Sequence, residues 1–107
     1  MAGIVEKTYA EAVFGLGKEQ NCLETLCTEI FETAEILGEN PDFIKLLSSP
    51  TISFDEKKES LNKVFSGKLS EYAMNFLFVI TEKNRMSSFM GISECLKSLY
   101  RSEERRV

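Results

Sequence analysis

The most apolar stretch of the chain, residues 72–80, sets the pattern around which the other segments are interpreted. On a helical wheel at about 100° per residue its apolar side chains cover nearly the whole circumference. Only Glu71, Asn75 and Glu82 share a narrow polar stripe. Because an α-helix that is apolar nearly all round is buried on more than one side, this pattern predicts either the central helix of a bundle or a helix that also serves a partner. The run is shorter than the roughly 20 apolar residues of a membrane span, so we expect no direct membrane insertion.

The first predicted helix, residues 4–18, shows a related anomaly, since its apolar positions form two arcs instead of one. The first arc consists of Ala10, Val13, Phe14 and Gly17, and the second consists of Val5, Tyr9, Ala12 and Leu16. A surface helix normally needs a single apolar stripe. The second arc therefore indicates a second contact.

Local end signals divide the remainder into further helices. The second predicted helix is residues 21–37, with Asn21 as N-cap and Gly38 as stop, and a short third helix is opened by Asn40-Pro41 and ended by Ser48-Ser49-Pro50. The fourth helix is opened by the capping box Ser53-Phe54-Asp55-Glu56 and ends at Ser66-Gly67. The apolar helix lies between Ser70 and a left-handed Asn84, and the last helix is residues 86–104. Gly91 in the last helix is expected to permit a close helix–helix approach. No stretch alternates with a period of two, which excludes a sheet. The chain is predicted to be all-α, a compact six-helix bundle.

Composition narrows the possible functions. The chain has 107 residues, which indicates one domain spanning 1–107, and its net charge of −4 makes nucleic acid and anionic membranes poor partners. Cys22, Cys27 and Cys95 follow no signal peptide and are expected to be free thiols in a reducing cytosol. The sequence contains no histidine, the commonest general base and metal ligand.

Candidate catalytic groups are correspondingly weak. The carboxylates that could pair for acid–base chemistry lie on polar helix faces or helix starts and are interpreted as solvated surface: Glu24, Glu29, Glu32, Glu35, Asp55, Glu56 and Glu59. The serines have neither a histidine base nor the glycine-flanked context of a nucleophile elbow. We therefore predict no enzyme activity, no cofactor and no metal site.

Two features exceed what a plain bundle needs: the second arc of the first helix and a surplus face on the apolar helix. That face carries Tyr72, Phe76, Val79 and Lys83, with Asn75 at its edge. The two faces could bury one another as core, or they could run side by side as a groove for an amphipathic partner helix. Helical wheels do not separate these alternatives.

Three segments, in order and in register, carry a family resemblance. They are Tyr9-Ala10-Glu11-Ala12-Val13-Phe14, then Leu47-Ser48-Ser49-Pro50-Thr51-Ile52-Ser53 with Glu56-Lys57-Lys58, and then Asn75-Phe76-Leu77-Phe78-Val79-Ile80-Thr81-Glu82-Lys83-Asn84-Arg85. Together they resemble the delta subunit of F-type ATP synthase, whose mitochondrial relative is the oligomycin-sensitivity-conferring protein. The similarity extends over essentially the whole chain.

This resemblance implies a non-catalytic, six-helix N-terminal domain of the peripheral stalk, or stator. It implies that the domain binds the N-terminal helix of an alpha subunit in a groove between its first and fifth helices. The family's groove tyrosine and valine correspond to Tyr9 and Val79. The helical wheel extends the expected groove to Val5, Ala12, Asn75, Phe76 and Lys83, while Leu16 is left out because it can turn inward at the helix end.

The resemblance also implies a wider context. The subunit would support proton- or sodium-driven ATP synthesis at the cytoplasmic face of the bacterial inner membrane. A further family domain, which meets the b-subunit stalk, is expected to begin about where this sequence stops, at Arg105-Arg106-Val107. The alternative from another class is a stand-alone helical adaptor or an antitermination-type RNA-binding bundle, against which the acidic composition argues.

Overall fold

Six α-helices form the fold of the described residues. A computed structural model describes residues 3–104 of the chain, with side chains for residues 3–102; Arg105-Arg106-Val107, where a further domain is expected to begin, lies outside this range. The helices are α1 (Ile4–Glu19), α2 (Leu23–Glu39), α3 (Pro41–Ser48), α4 (Phe54–Phe65), α5 (Glu71–Glu82) and α6 (Phe89–Glu104), with a 3₁₀ turn at Met86–Ser88. The predicted all-α, six-helix fold is confirmed.

The turn between α1 and α2 corrects the predicted role of Asn21. Its φ of 56° is left-handed, and its N–H donates to the Lys18 carbonyl at 3.3 Å while the Cys22 N–H donates to the Gly17 carbonyl at 2.9 Å. These two bonds define a Schellman motif. Asn21 therefore ends α1 and does not cap α2, whose N-cap is Cys22. Asparagine is common in both roles, which explains why the sequence pattern misassigned it.

Gly17 allows α1 and α2 to meet closely at this turn. A Cβ atom at Gly17 would lie 2.9 Å from the Leu23 Cα, a distance that backbone atoms do not tolerate. The glycine is buried in the helix interior, where it costs helix stability relative to alanine. Its presence is explained by this contact.

The end of α5 has the same geometry as the end of α1. Asn84 has a φ of 59°, and the Arg85 N–H donates to the Ile80 carbonyl at 2.8 Å. The predicted left-handed cap is confirmed. The last helix does not begin at Met86 as predicted, because a 3₁₀ turn anchored by the buried Met86 side chain precedes it.

Gly38 does not end α2, which continues through Glu39. The helix ends because Asn40 takes a non-helical conformation, and its side-chain amide donates to the Ile36 carbonyl at 2.7 Å. That side chain therefore serves the end of α2, although the residue also stands as N-cap of α3 without a side-chain bond to it. Pro41 follows at the first position of α3, as expected.

The Ser53 cap of α4 is half of the predicted capping box. The Glu56 N–H donates to the Ser53 Oγ at 3.2 Å. In return the Ser53 hydroxyl faces the Glu56 Oε1 at 3.4 Å, so the glutamate meets the hydroxyl and not the serine backbone.

The core lies between α6 and the helices packed on it. α6 packs along α1 and α2, whereas α5 packs mainly against α4 and α2. A Cβ atom at Gly91 would lie 2.7 Å from the Glu6 Cγ, so the Glu6 side chain of α1 packs over this glycine where α1 meets α6. The most buried large side chains belong to this core: Phe65, Phe89, Leu26, Ile30, Leu37, Leu47, Leu61, Leu77, Ile80, Met86, Ile92 and Leu96.

The apolar helix α5 is therefore not the centre of the bundle. Ala73, Leu77 and Ile80 face the core, but Tyr72 and Val79 are 39% and 43% exposed. Within the described residues, no helix is long and apolar enough to cross a membrane.

Candidate functional site

An open, mainly apolar groove lies between α1 and α5, with α2 beneath it. Its volume is about 310 Å³. The lining residues are Tyr9, Ala12, Val13 and Leu16 of α1, Leu26 of α2, and Tyr72, Asn75, Phe76 and Val79 of α5. None of these side chains is charged at neutral pH. The arrangement suits an apolar ligand surface better than an ionic one.

Two contacts across the groove establish how its walls run. The Tyr9 and Phe76 rings meet edge to face, with centroids 6.4 Å apart. Nearer the other end, the Tyr72 hydroxyl donates to the Gln20 Oε1 at 3.2 Å. Residue numbers therefore rise along α1 as they fall along α5, so the walls are antiparallel. The Tyr72–Gln20 bond bridges one end of the groove, and we call this the bridged end.

The groove floor belongs to the core. Leu26 is 1% exposed and Val13 is 3% exposed. The Phe76 ring lies 6.3 Å from the buried Phe89 ring of α6. On the outer side of α5, the Lys58 ammonium of α4 covers the Phe78 ring at 5.1 Å. As a result, the apolar surface that α5 leaves uncovered is concentrated in the groove wall.

Five of the residues expected for a groove line it together: Tyr9, Ala12, Asn75, Phe76 and Val79. The other two, Val5 and Lys83, are not among the lining residues. At about 100° per residue, Val5 lies on the groove side of α1 one turn before Tyr9, and Lys83 lies on the groove side of α5 one turn after Val79. The groove role of these two residues stays a prediction from helical spacing.

Four lining residues were not predicted for the site. Tyr72 was on the surplus face, and Leu16 was set aside as inward-turning although it is only half-buried. Val13 was assigned to the core arc, and it serves both core and floor. Leu26 lies on α2, whose apolar residues form a single stripe that faces the core, so the sequence of α2 gave no sign of a role in the groove.

Glu29 of α2 corrects a sequence prediction, because it bonds to the residue that precedes α5. Its carboxylate, interpreted from the sequence as solvated, accepts the Ser70 N–H through Oε2 and the Ser70 hydroxyl through Oε1, both at 2.7 Å. The Ser70 Oγ also accepts the Ala73 N–H at 3.4 Å, so the predicted cap of α5 is present but long. Glu29 thus supplies a negative charge and two acceptors at the N-terminus of α5.

The described residues offer little for catalysis. They contain no group of three or more histidine, cysteine, aspartate or glutamate side chains that could hold a metal ion. Cys22, Cys27 and Cys95 are free thiols. Burial, with a smaller contribution from Cys22, raises the pKa of the Cys27 thiol to about 11, which disfavours the reactive thiolate.

Comparison with known proteins identifies the family of the chain. Residues 5–107 match the family described as ATP synthase delta (OSCP) subunit. The chain belongs to this family. The resemblance of the three sequence segments is thereby confirmed.

Individual relatives agree with the assignment. The chain is 38% identical over 99 residues to the ATP synthase subunit delta of Alkaliphilus metalliredigens, covering 92% of this chain and 55% of the relative. It is 35% identical over 100 residues to the subunit delta of Clostridioides difficile, covering 92% and 55%. It is 34% identical over 97 residues to a protein of Ilyobacter tartaricus named ATP synthase subunit delta, sodium ion specific, covering 90% and 55%. The chain thus spans about half the length of these relatives.

The delta (OSCP) subunit is a non-catalytic subunit of ATP synthase, in agreement with the prediction that the chain is not an enzyme. The comparisons give no support to the alternative of a stand-alone adaptor or RNA-binding bundle.

Proposed function

We propose that this chain is the part of a stator subunit that holds the catalytic head of an F-type ATP synthase by binding the N-terminal helix of an alpha subunit. The observation that carries the proposal is the apolar groove between α1 and α5. Family membership supplies the complex, and the groove supplies a surface on which an amphipathic helix fits. The task is mechanical, because the domain resists rotor torque by remaining bound.

The dimensions of the groove match such a helix. From Tyr9 to Leu16 and from Tyr72 to Val79, each wall extends seven residues, or about 10 Å at 1.5 Å per residue. Two helical turns of a partner have the same length. We therefore expect three apolar anchors at positions i, i+3 or i+4, and i+7 to enter the groove.

The exposed apolar surface provides the driving force. Tyr72 and Val79 are about two-fifths exposed in the free chain, although both are large apolar or amphipathic side chains. Each fully buried anchor of the partner contributes about 1.5–3 kcal/mol before the cost of association is subtracted. Slow dissociation from these buried contacts is what a permanent tether requires.

The remaining parts of the proposed role follow from the family. The chain would be peripheral at the cytoplasmic face of the bacterial inner membrane, and a further domain of the subunit would meet the b-subunit stalk. Either protons or sodium ions would drive the synthase, since the name of the Ilyobacter tartaricus relative includes sodium specificity. Nucleic acid is not proposed as a partner, because the net charge is −4.

Isothermal titration calorimetry tests the proposal. The 107-residue chain is titrated with a synthetic peptide of the N-terminal helix of the alpha subunit from the same synthase, and separately with a scrambled peptide of identical composition. We expect one-to-one binding of the native peptide and a negative heat-capacity change from apolar burial. Equal binding of both peptides, or no heat from either at every temperature measured with the chain folded, contradicts the proposal.

A further inference from the structure

We infer that Glu29 is a positioning residue that sets the geometry of the groove through its hydrogen bonds to Ser70. The inference deepens the proposed function and rests on it for the ligand. It concerns how the chain keeps the two walls of the groove at a fixed separation in the absence of a partner.

The two walls make few contacts with each other. Within the described residues α1 packs mainly on α6 and α2, whereas α5 packs mainly on α4 and α2. Across the groove, contact is made by the Tyr9–Phe76 ring pair and by the Tyr72–Gln20 hydrogen bond. The helix that packs substantially on both walls is α2.

Successive turns of α2 attach the two walls and form the floor between them. Leu23 contacts α1 where Gly17 allows the two helices to approach closely. Leu26, one turn later, lines the groove floor. Glu29, one further turn along, holds the N-terminus of α5 through Ser70. The spacing of three residues keeps these side chains on neighbouring parts of one helix face.

The bonds of Glu29 suit a positioning role. Both are 2.7 Å long and charge-assisted, and they join residues 41 positions apart in the sequence. They hold Ser70, which immediately precedes the turn that carries Tyr72. The alternative cap, the Ser70 hydroxyl alone, makes only a 3.4 Å bond to the Ala73 N–H. Without Glu29, the first turn of α5 would depend on this weaker bond.

The test compares Glu29→Gln with the matched control Glu32→Gln, an exposed glutamate on the same helix. Glutamine keeps the shape but is neutral and replaces one acceptor oxygen with a donor, so the Ser70 hydroxyl must turn from donating to accepting and both bonds lose their charge assistance. We expect the Kd for the alpha-subunit peptide to rise about tenfold in Glu29→Gln and less than twofold in the control, at a temperature where both variants are fully folded. The double variant Glu29→Gln/Ser70→Asp is expected to recover most of the affinity, because the new amide can donate to the new carboxylate.

A second measurement on the free chain makes the inference independent of the peptide. Nuclear Overhauser contacts between the Tyr9 and Phe76 rings, and hydrogen exchange of amides 71–76, report the wall separation and the order of the first turn of α5. We expect weaker ring contacts and at least tenfold faster exchange in Glu29→Gln, with both restored in the double variant.

The outcomes separate the two proposals. If the unmodified chain does not bind the peptide, the proposed function fails, and the free-chain measurement alone decides the role of Glu29. If Glu29→Gln lowers the melting temperature but leaves the peptide Kd, the ring contacts and the exchange unchanged, Glu29 is only a stabilising residue and the inference is overturned.

Discussion

Truncating Val79 to alanine tests whether the groove binds the partner helix, because the exposed fraction of this side chain sets the expected loss of binding free energy. Val79 is 43% exposed in the free chain, so binding can bury at most that fraction. Full burial of a valine is worth about 1.5–3 kcal/mol, which leaves about 0.6–1.3 kcal/mol for the partner to gain. We therefore expect the peptide Kd to rise by roughly three- to ninefold, with the Cβ that alanine retains favouring the lower end.

A charge at the same position gives a larger effect. Val79→Asp places a carboxylate that water solvates in the free chain but that an apolar partner would desolvate. Burying such a group without a partner costs about 2 kcal/mol or more, which corresponds to at least a thirtyfold rise in Kd. Because the side chain is partly exposed before binding, we expect the fold to survive.

The control is Ile36→Ala, which truncates a side chain of similar exposure, 37%, at a position outside the groove lining. The assay is calorimetric titration with the alpha-subunit peptide, with circular dichroism of each variant to establish equal helicity. If the valine variants bind as tightly as the unmodified chain, or if the Ile36 variant loses as much affinity as Val79→Ala, the partner helix does not occupy this groove.

Three further predictions follow from local geometry. Gly17→Ala should lower the free energy of unfolding by about 1–3 kcal/mol, because the new Cβ meets the Leu23 backbone. The control Gly15→Ala has open space at its Cβ and should raise the free energy of unfolding by up to about 1 kcal/mol. Urea denaturation of both variants measures these changes, and equal effects would contradict the close approach of α1 and α2 at Gly17. Asn84→Ala should cost about 1 kcal/mol by the same assay, because alanine is strained at the left-handed φ of 59°; an unchanged midpoint would exclude this strain. The Cys27 thiol, with its pKa raised from 9.0 to about 11, should react with a disulfide reagent at pH 8 far more slowly than the other two thiols. Its contribution to stability should be fully present below pH 9 and lost as the pH rises through 11. Rapid labelling of Cys27 in the native state, located by mass spectrometry, would contradict its burial.

Much of the fold was predictable because its helix signals are local. The spacing of apolar residues and the prolines and serines at helix ends determined six helices, with ends that agree within a few residues. Errors arose where one residue type serves two purposes. Asn21 fits an N-cap and a left-handed C-terminal position equally well, and Gly38 resembles a helix stop although the helix continues past it.

The candidate site was predictable only in part, for a different reason. The surplus faces of α1 and α5 follow from helical periodicity, and five of the expected residues share the groove. Whether those faces bury each other depends on the distance between the two helices, and a helical wheel gives no information about that distance. Leu26 and Glu29 contribute through tertiary packing, and Glu29 meets Ser70 across 41 residues, so neither role has a local signature.

Nuclear magnetic resonance mapping of the complex would show whether a partner helix occupies the groove between α1 and α5. The isotope-labelled chain is titrated with the unlabelled alpha-subunit peptide, and intermolecular Overhauser contacts are assigned. We expect contacts from apolar peptide side chains to Tyr9, Phe76 and Val79, with the chemical shifts of α3 unchanged. Contacts confined to another face of the chain, or a folded chain whose groove resonances do not move at saturating peptide, would contradict it.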